Sequence, residues 1–454
     1  MMIAAIKEAL ARDGRASDWK ILERRKSGLE WYFVGRELDS ARKVDKTLYD
    51  LTVWADGMDG DVRVRGECSA TVHPGTDPKE LAVIVGRALD TASGMKNPWF
   101  PLPEPDGRKA VDMASPLDGM DPSQAMELCR AALYRHDGLG SNGQAVATIN
   151  SLELFLSRMD LRLLTSRGVD ARWVSWHGFT EFVVNAGVRG KDEVELYCDC
   201  HFSEPDGERL AALAKRQLEA ARDRLGAVPT PRLEGLPLLL SGEPASQIYQ
   251  YWFDNVQAQA VYERRAAFAV GDDVSVSAEA GEGAGAAPIA AVAGDAVSLK
   301  AVPGIPGCPG ASPYDSVGYV LEPVELIKEN KVLALEAPCK YAHYLGIKPT
   351  GAFGFFELGA GRESADALKE GDHLEVLTFS DFYMDTSSGD FGGEIRLGYL
   401  QRDGKRVPVR GGSVTGNLTE NRGLVRLSAE LGISPSARGP EYCLLPRVQV
   451  THAD

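Results

Sequence analysis

The sequence predicts an α+β protein, with an N-terminal α/β domain over residues 1–230 and a β-rich, mainly antiparallel C-terminal domain over residues 231–454. Three observations carry that reading. Capped amphipathic helices alternate with strand-like runs in the first half. The stretch GAVPTPRLEGLP (226–237), with prolines at 229, 231 and 237, breaks the pattern and marks the domain boundary. After one further helix, the rest of the chain is short β runs punctuated by glycine and proline.

The elements follow in order. MMIAAIKEALARDGR at the N-terminus reads as an amphipathic helix. YDLTVWADG (49–57) and VRVRGECSATV (62–72) read as strands. In TDPKELAVIVGRALDTA, Asp77 is the N-cap, Pro78 the first helical residue and Glu80 the reciprocal capping residue; Leu81, Ile84, Val85, Ala88 and Leu89 then share one face. MDPSQAMELCRAALY repeats the device with Asp121, Pro122 and Gln124. Residues 159–187 and 192–200 read as strands, and residues 206–226 as a third helix striped by Leu210, Leu213, Leu218, Ala221 and Leu225 and stopped by Gly226. Beyond the boundary, residues 241–262 read as one helix with Ile248, Trp252, Val256 and Ala260 inward. The glycine-rich, low-complexity stretch at 278–296 reads as a loop. Near the end, the Gly/Ser/Asp cluster at 386–393 leads into a hairpin that turns through Asp403-Gly404. No fixed-period repeat is present.

Composition narrows the function. The 454 residues are 44% hydrophobic and 25% charged, with no apolar run long enough to span a membrane. The N-terminus carries no secretory pattern, so a cytoplasmic location is expected. Seven scattered cysteines, an odd number without framework spacing, predict reduced thiols. With 65 acidic and 50 basic residues the net charge is −15, which argues against a nucleic-acid partner. The one basic cluster, Arg24-Arg25-Lys26 with Arg36, Arg42, Lys43 and Lys46, is diluted by carboxylates and reads as a solvated face.

Catalytic signatures are missing. No His is followed by Glu, so no helix carries a His-Glu zinc-hydrolase motif. Cys198-Asp199-Cys200-His201 is the densest group of soft ligands, but it offers three donors in a spacing unusual for zinc. Cys443 and His343 would form a dyad only if the fold joined them. G-x-S-x-G, P-loop and dinucleotide-binding patterns are absent.

Two C-terminal segments, SPYDSVGYVLEPVELIKENKVLALEAPCKYAHYLGIKPTGAFGFF and DFYMDTSSGDFGGEIRLGYLQRDGKRVPVRGGSVTGNL, resemble the TldD/PmbA family, once labelled modulators of DNA gyrase. The matching positions, in order, are Asp315, Gly318, Leu345-Gly346, Thr350-Gly351, Ser388-Gly389-Asp390-Phe391, Gly404, Pro408-Val409 and Gly416-Asn417-Leu418. Residues 59–92 and 159–187 look like the family's N-terminal region, so the resemblance spans nearly the whole chain.

The resemblance implies peptide hydrolysis by a two-subunit assembly. Its TldD-like branch carries H-E-x-x-x-H on the first helix of the second domain, with a later cysteine; the PmbA-like branch, also called TldE, lacks these ligands. Here that helix reads SGEPASQIYQYWFDN, with Tyr, Gln and Trp where histidines would be needed, so the resemblance is to the PmbA/TldE-like branch. No catalytic residue, no metal and no cofactor are expected. The expected partners are a metal-bearing TldD-like subunit and a peptide, with a homodimer when the chain is alone. Ser388, Gly389, Asp390, Phe391, Gly392, Thr350, Gly351 and Asn417 are the expected peptide- or partner-facing residues. The alternatives are a stand-alone peptidase with an unrecognised site and a homodimeric scaffold without catalysis.

Overall fold

The computed structural model describes residues 1–140, 146–187, 193–276 and 293–453. Most of the glycine-rich stretch expected as a loop, through residue 292, lies outside the described residues. The described chain is 23% helix and 43% strand.

Seven antiparallel strands form the N-terminal sheet: β1 Asp18–Val34, β2 Glu37–Asp59, β3 Val62–Val72, β4 Asn97–Pro98, β5 Val146–Thr165, β6 Asp170–Gly187 and β7 Glu193–Phe202, in the order β4-β3-β2-β1-β5-β6-β7. Four helices cover one face: α1 Met2–Asp13, α2 Pro78–Ser93, α3 Pro122–Leu133 and α4 Gly207–Leu225. Alternation along the strands explains the layering, because inward residues every second position meet the helical stripes. Ile21, Leu51 and Val53 pack with Ile6, Leu81, Val85 and Leu89. Leu152, Leu154 and Phe182 pack with Met126, Leu210 and Leu218.

The predicted N-caps form: Asp77 accepts the N–H groups of Lys79 and Glu80, and Asp121 those of Ser123 and Gln124, each with proline in the first turn, but the reciprocal bonds expected from Glu80 and Gln124 do not. Gly14 ends α1 in the left-handed region, φ 75°. The long β1–β2 hairpin and the first half of β5 extend well beyond the expected strands. At the hairpin, Arg24 pairs with Asp50, Arg25 with Asp45, and Arg42 with Glu30. The basic cluster is thus a paired, solvated surface.

The C-terminal part holds a six-stranded and a nine-stranded sheet. The six strands run Lys331–Val332, Val324–Lys328, Leu299–Val302, Phe355–Leu358, Ala437–Pro440 and Leu431–Ile433. The nine-stranded sheet is centred on Leu238–Ser241, His373–Met384 and Asp390–Arg402, with Ser413–Asn417 paired to the start of the last of these. The expected turn is present at Asp403 (φ 51°) and Gly404 (φ 71°), between Asp390–Arg402 and Lys405–Arg410.

Between the sheets lies α5, Gly242–Asp254, on which Ile248, Tyr251 and Trp252 are fully buried. The single helix expected over 241–262 is in fact two. It breaks at Asn255–Gln257 and resumes as α6, Ala258–Tyr262. The break is a polar capture: Asn255 Nδ2 donates to the Tyr251 carbonyl at 2.9 Å, and Glu336 claims the next backbone groups. Periodicity could not reveal it, because Val256 and Ala260 stay inward on both sides.

The two parts share contacts. Leu397 and Tyr399 enter the N-terminal core, and the Tyr399 hydroxyl donates to Asp223 at 2.7 Å. On the other face of the N-terminal sheet, Trp54, Phe100 and Leu102 pack with Val317 and Tyr344. No helix among the described residues is long and apolar enough to cross a membrane.

Candidate functional site

Residues 385–391 form a tight loop that holds itself. The Asp385 carboxylate accepts the N–H groups of Ser387 (2.8 Å) and Ser388 (3.4 Å), which keeps its acid below the usual carboxylate range. Ser388 Oγ donates to Asp390 at 2.8 Å, and Asn417 Nδ2 reaches both the Ser388 carbonyl (3.2 Å) and Asp390 Oδ1 (2.8 Å). Gly389 supplies the turn at φ 84°, a conformation side chains rarely adopt, and its carbonyl accepts the Leu418 N–H at 2.7 Å. Ser388, Gly389, Asp390 and Asn417 therefore converge, with Ser388 and Asp390 exposed.

The other expected residues lie elsewhere. Phe391 is fully buried in the C-terminal core, where its ring occupies the space a Cβ at Gly416 would take. Gly392 is buried, and a Cβ there would sit 2.9 Å from the Val414 carbonyl oxygen. Close approach by this chain's own strands accounts for its glycine. Thr350 and Gly351 form a separate clamp: both N–H groups donate to the Ala337 carbonyl, while Thr350 Oγ1 accepts the Ala337 N–H (2.8 Å) and donates to the Leu335 carbonyl (3.1 Å). Gly351 has φ 99°, and a Cβ on it would overlap Leu321.

Residues not expected from the sequence join the two clusters. Thr386 Oγ1 donates to Asp254 at 2.8 Å, and Asn255 Nδ2 donates to the Thr386 carbonyl at 2.7 Å. The Asn255 oxygen accepts the Ala267 N–H at 2.7 Å. From Asn255 the chain passes to Glu336, whose N–H donates to the Val256 carbonyl and whose carbonyl accepts from Ala258. The Glu336 side chain accepts the Phe353 N–H at 2.9 Å, next to the Thr350-Gly351 clamp. Burial raises the Glu336 acid to about 7, only partly opposed by that hydrogen bond. Asn255 did carry a signal, since asparagine favours positions just after a helix end. Glu336 carried none.

The polar face of α5 shows what chemistry is within reach. Gln250 and Asp254, one turn apart, are bonded to each other (2.6 Å), and Asp254 also accepts from Gln257 and Thr386. Two amides and one committed carboxylate do not fit the donor sets a catalytic zinc takes, in which at least two of the three ligands are imidazole or thiolate. Cys198 and Cys200 point into the helix-covered core of the N-terminal sheet, and burial raises both thiols. His201 projects from the opposite face, where its ring packs 4.9 Å from Phe179. The three cannot share one ion. Cys443 is fully buried beside Tyr249, whereas His343 is exposed and packs edge-on against Trp99, so no dyad forms.

The description of the PmbA/TldA metallopeptidase C-terminal domain matches residues 235–452. The C-terminal half of this chain belongs to the PmbA/TldD family. Three crystal structures share the fold of the whole chain. A candidate modulator of a DNA gyrase from Thermotoga maritima is 14% identical, with TM-score 0.74, covering 99% of this chain and 100% of its own. A second such protein, from Bacteroides thetaiotaomicron, is 15% identical, with TM-score 0.74 and coverages of 99% and 98%. TldE from Thermococcus kodakarensis is 15% identical, with TM-score 0.71 and coverages of 99% and 100%. At such identities the likeness is one of fold. No curated protein matches the sequence significantly.

Proposed function

We propose that this PmbA/TldD-family chain is the metal-free, TldE-like subunit of a cytoplasmic metallopeptidase assembly, and that it binds and channels unfolded peptides to a metal-bearing TldD-like partner. The observation that carries the reading is the polar face of α5. Gln250 and Asp254 are bonded to each other, and Asp254 also accepts from Gln257 in the break after the helix and from Thr386, in a family whose other branch uses this helix for metal ligands. The chain then contributes binding. Its loop at 385–391 is held by its own side chains before any partner arrives, so ordering it on association costs little conformational entropy. Ser388 and Asp390 present hydroxyl and carboxylate groups on the outside of that loop, where an extended peptide or the partner chain meets them. Alone, the chain forms a homodimer through the surface the partner would use.

Reconstitution tests this. Mixed with a metal-bearing TldD-like subunit, the chain should give peptidase activity that neither protein shows alone, and Asp390→Ala should lower it while the isolated chain stays folded. Metal-dependent peptidase activity of the isolated chain would refute the proposal.

A further inference from the structure

A buried cation with no counter-ion among the described residues packs near α5. Arg422 follows the short turn of helix Leu418–Asn421, which Asn417 caps. It is 7% exposed, and among the described residues it has no ion-pair partner; its Nε is buried without a hydrogen bond. Its guanidinium carbon stands 5.2 Å from the Phe268 ring. Against the same ring, 5.9 Å away, packs Tyr251 of α5, which is fully buried and whose hydroxyl also has no partner. The Arg422 charge acts on that phenol, opposing the rise that burial imposes. Asn255 bonds both the Tyr251 carbonyl and the Thr386 carbonyl, which ties the turn of α5 that carries Tyr251 to the 385–391 loop.

Arginine stays charged at any ordinary pH, and a buried charge with no partner is costly. Two unsatisfied donors flanking one aromatic ring match an acceptor with two oxygens and a negative charge. We propose that Arg422 and Tyr251 form an anion-recognition site that takes a carboxylate of the bound peptide. The peptide part of this inference rests on the reading above; the carboxylate chemistry rests on these two side chains. The carboxylate comes from the peptide's C-terminus or from an acidic side chain.

The test compares one unfolded fluorescent peptide in three forms: free C-terminal acid, C-terminal amide, and amide with one internal Glu. Each is titrated by anisotropy into the wild-type chain, Arg422→Met and Tyr251→Phe. In parallel, the melting temperature of each protein is measured in acetate against chloride at equal ionic strength. A carboxylate form should bind the wild type about 10–100-fold tighter than the plain amide, the range of a charge-assisted hydrogen bond. Arg422→Met should abolish that preference and Tyr251→Phe should reduce it several-fold. Whichever carboxylate form is preferred identifies the source. Acetate should raise the melting temperature of the wild type and leave Arg422→Met unmoved. If Arg422→Met does not fold, Tyr251→Phe carries the comparison, because it removes only a hydroxyl that already lacks a partner. Equal binding of acid and amide forms, or a preference that survives in the variants, overturns the proposal and leaves the peptide reading intact. Acetate stabilisation specific to the wild type, with no peptide bound in any form, supports the anion site and sinks the peptide reading.

Discussion

Asn255 is the residue whose loss should be felt furthest from its own position. It is 2% exposed and makes three side-chain hydrogen bonds: to the Tyr251 carbonyl (2.9 Å), to the Thr386 carbonyl (2.7 Å) and from the Ala267 N–H (2.7 Å). Asn255→Leu keeps the branched heavy-atom skeleton and removes all three. The Tyr251 carbonyl retains the helical bond from the residue 255 N–H, which leaves the Thr386 carbonyl and the Ala267 N–H without partners. An orphaned, partly buried polar group costs about 1–3 kcal/mol, so a total near 3 kcal/mol is expected. For a unit the size of the C-terminal part this is a fall of roughly 6–12 °C in melting temperature. Calorimetry measures it, and limited proteolysis should show new cleavage within residues 385–391, because the loop has lost its tie to α5. Asn255→Asp keeps an acceptor for Ala267 and sets a carboxylate against the Thr386 carbonyl, so it should destabilise at least as much. A loss under about 1 kcal/mol with the loop still protected would refute the idea that Asn255 holds the loop to the helix.

Further outcomes follow from the same geometry. Gly351→Ala forces a Cβ into Leu321 at φ 99° and should cost about 2–4 kcal/mol, read by urea unfolding. Gly389→Ala, at φ 84° with Thr419 and Asn417 close by, should cost about 1–2 kcal/mol and be measurable by the same method. Glu336 has an acid raised from 4.5 to about 7 by burial, so the folded state holds its proton where the unfolded chain releases it. Stability relative to Glu336→Gln should therefore fall as pH rises from about 4.5 to 7 and level off above, by up to roughly 3 kcal/mol; paired denaturation curves at pH 5 and pH 8 would show it.

The legible parts of the fold were those whose signal is local. Asp77-Pro78 and Asp121-Pro122 start helices because a side-chain acceptor and a missing N–H solve the helix-end problem within four residues. Val62–Val72 alternates and was read to the residue. The β1–β2 hairpin was missed because its distal half carries charge on both faces, satisfied across strands by pairs such as Arg42–Glu30 that only register creates. The first half of β5 was legible in principle, since Leu152, Leu154 and Leu156 alternate inward. At the site, the left-handed glycines 351 and 389 follow from the turns they occupy. That Phe391 fills the space beside Gly416, and that Asn255 and Glu336 join the 385–391 loop to the Thr350-Gly351 clamp, are facts of tertiary packing that no local pattern encodes.

Whether the chain acts through a metal-bearing partner is tested by co-purification of the tagged chain from its native cells, followed by metal analysis of the isolated chain and of the complex. A second subunit carrying H-E-x-x-x-H is expected, with the metal stoichiometric in the complex and well under one atom per chain in the isolated protein. A stoichiometric metal that survives chelator dialysis on the chain alone, with no second subunit recovered, would contradict it.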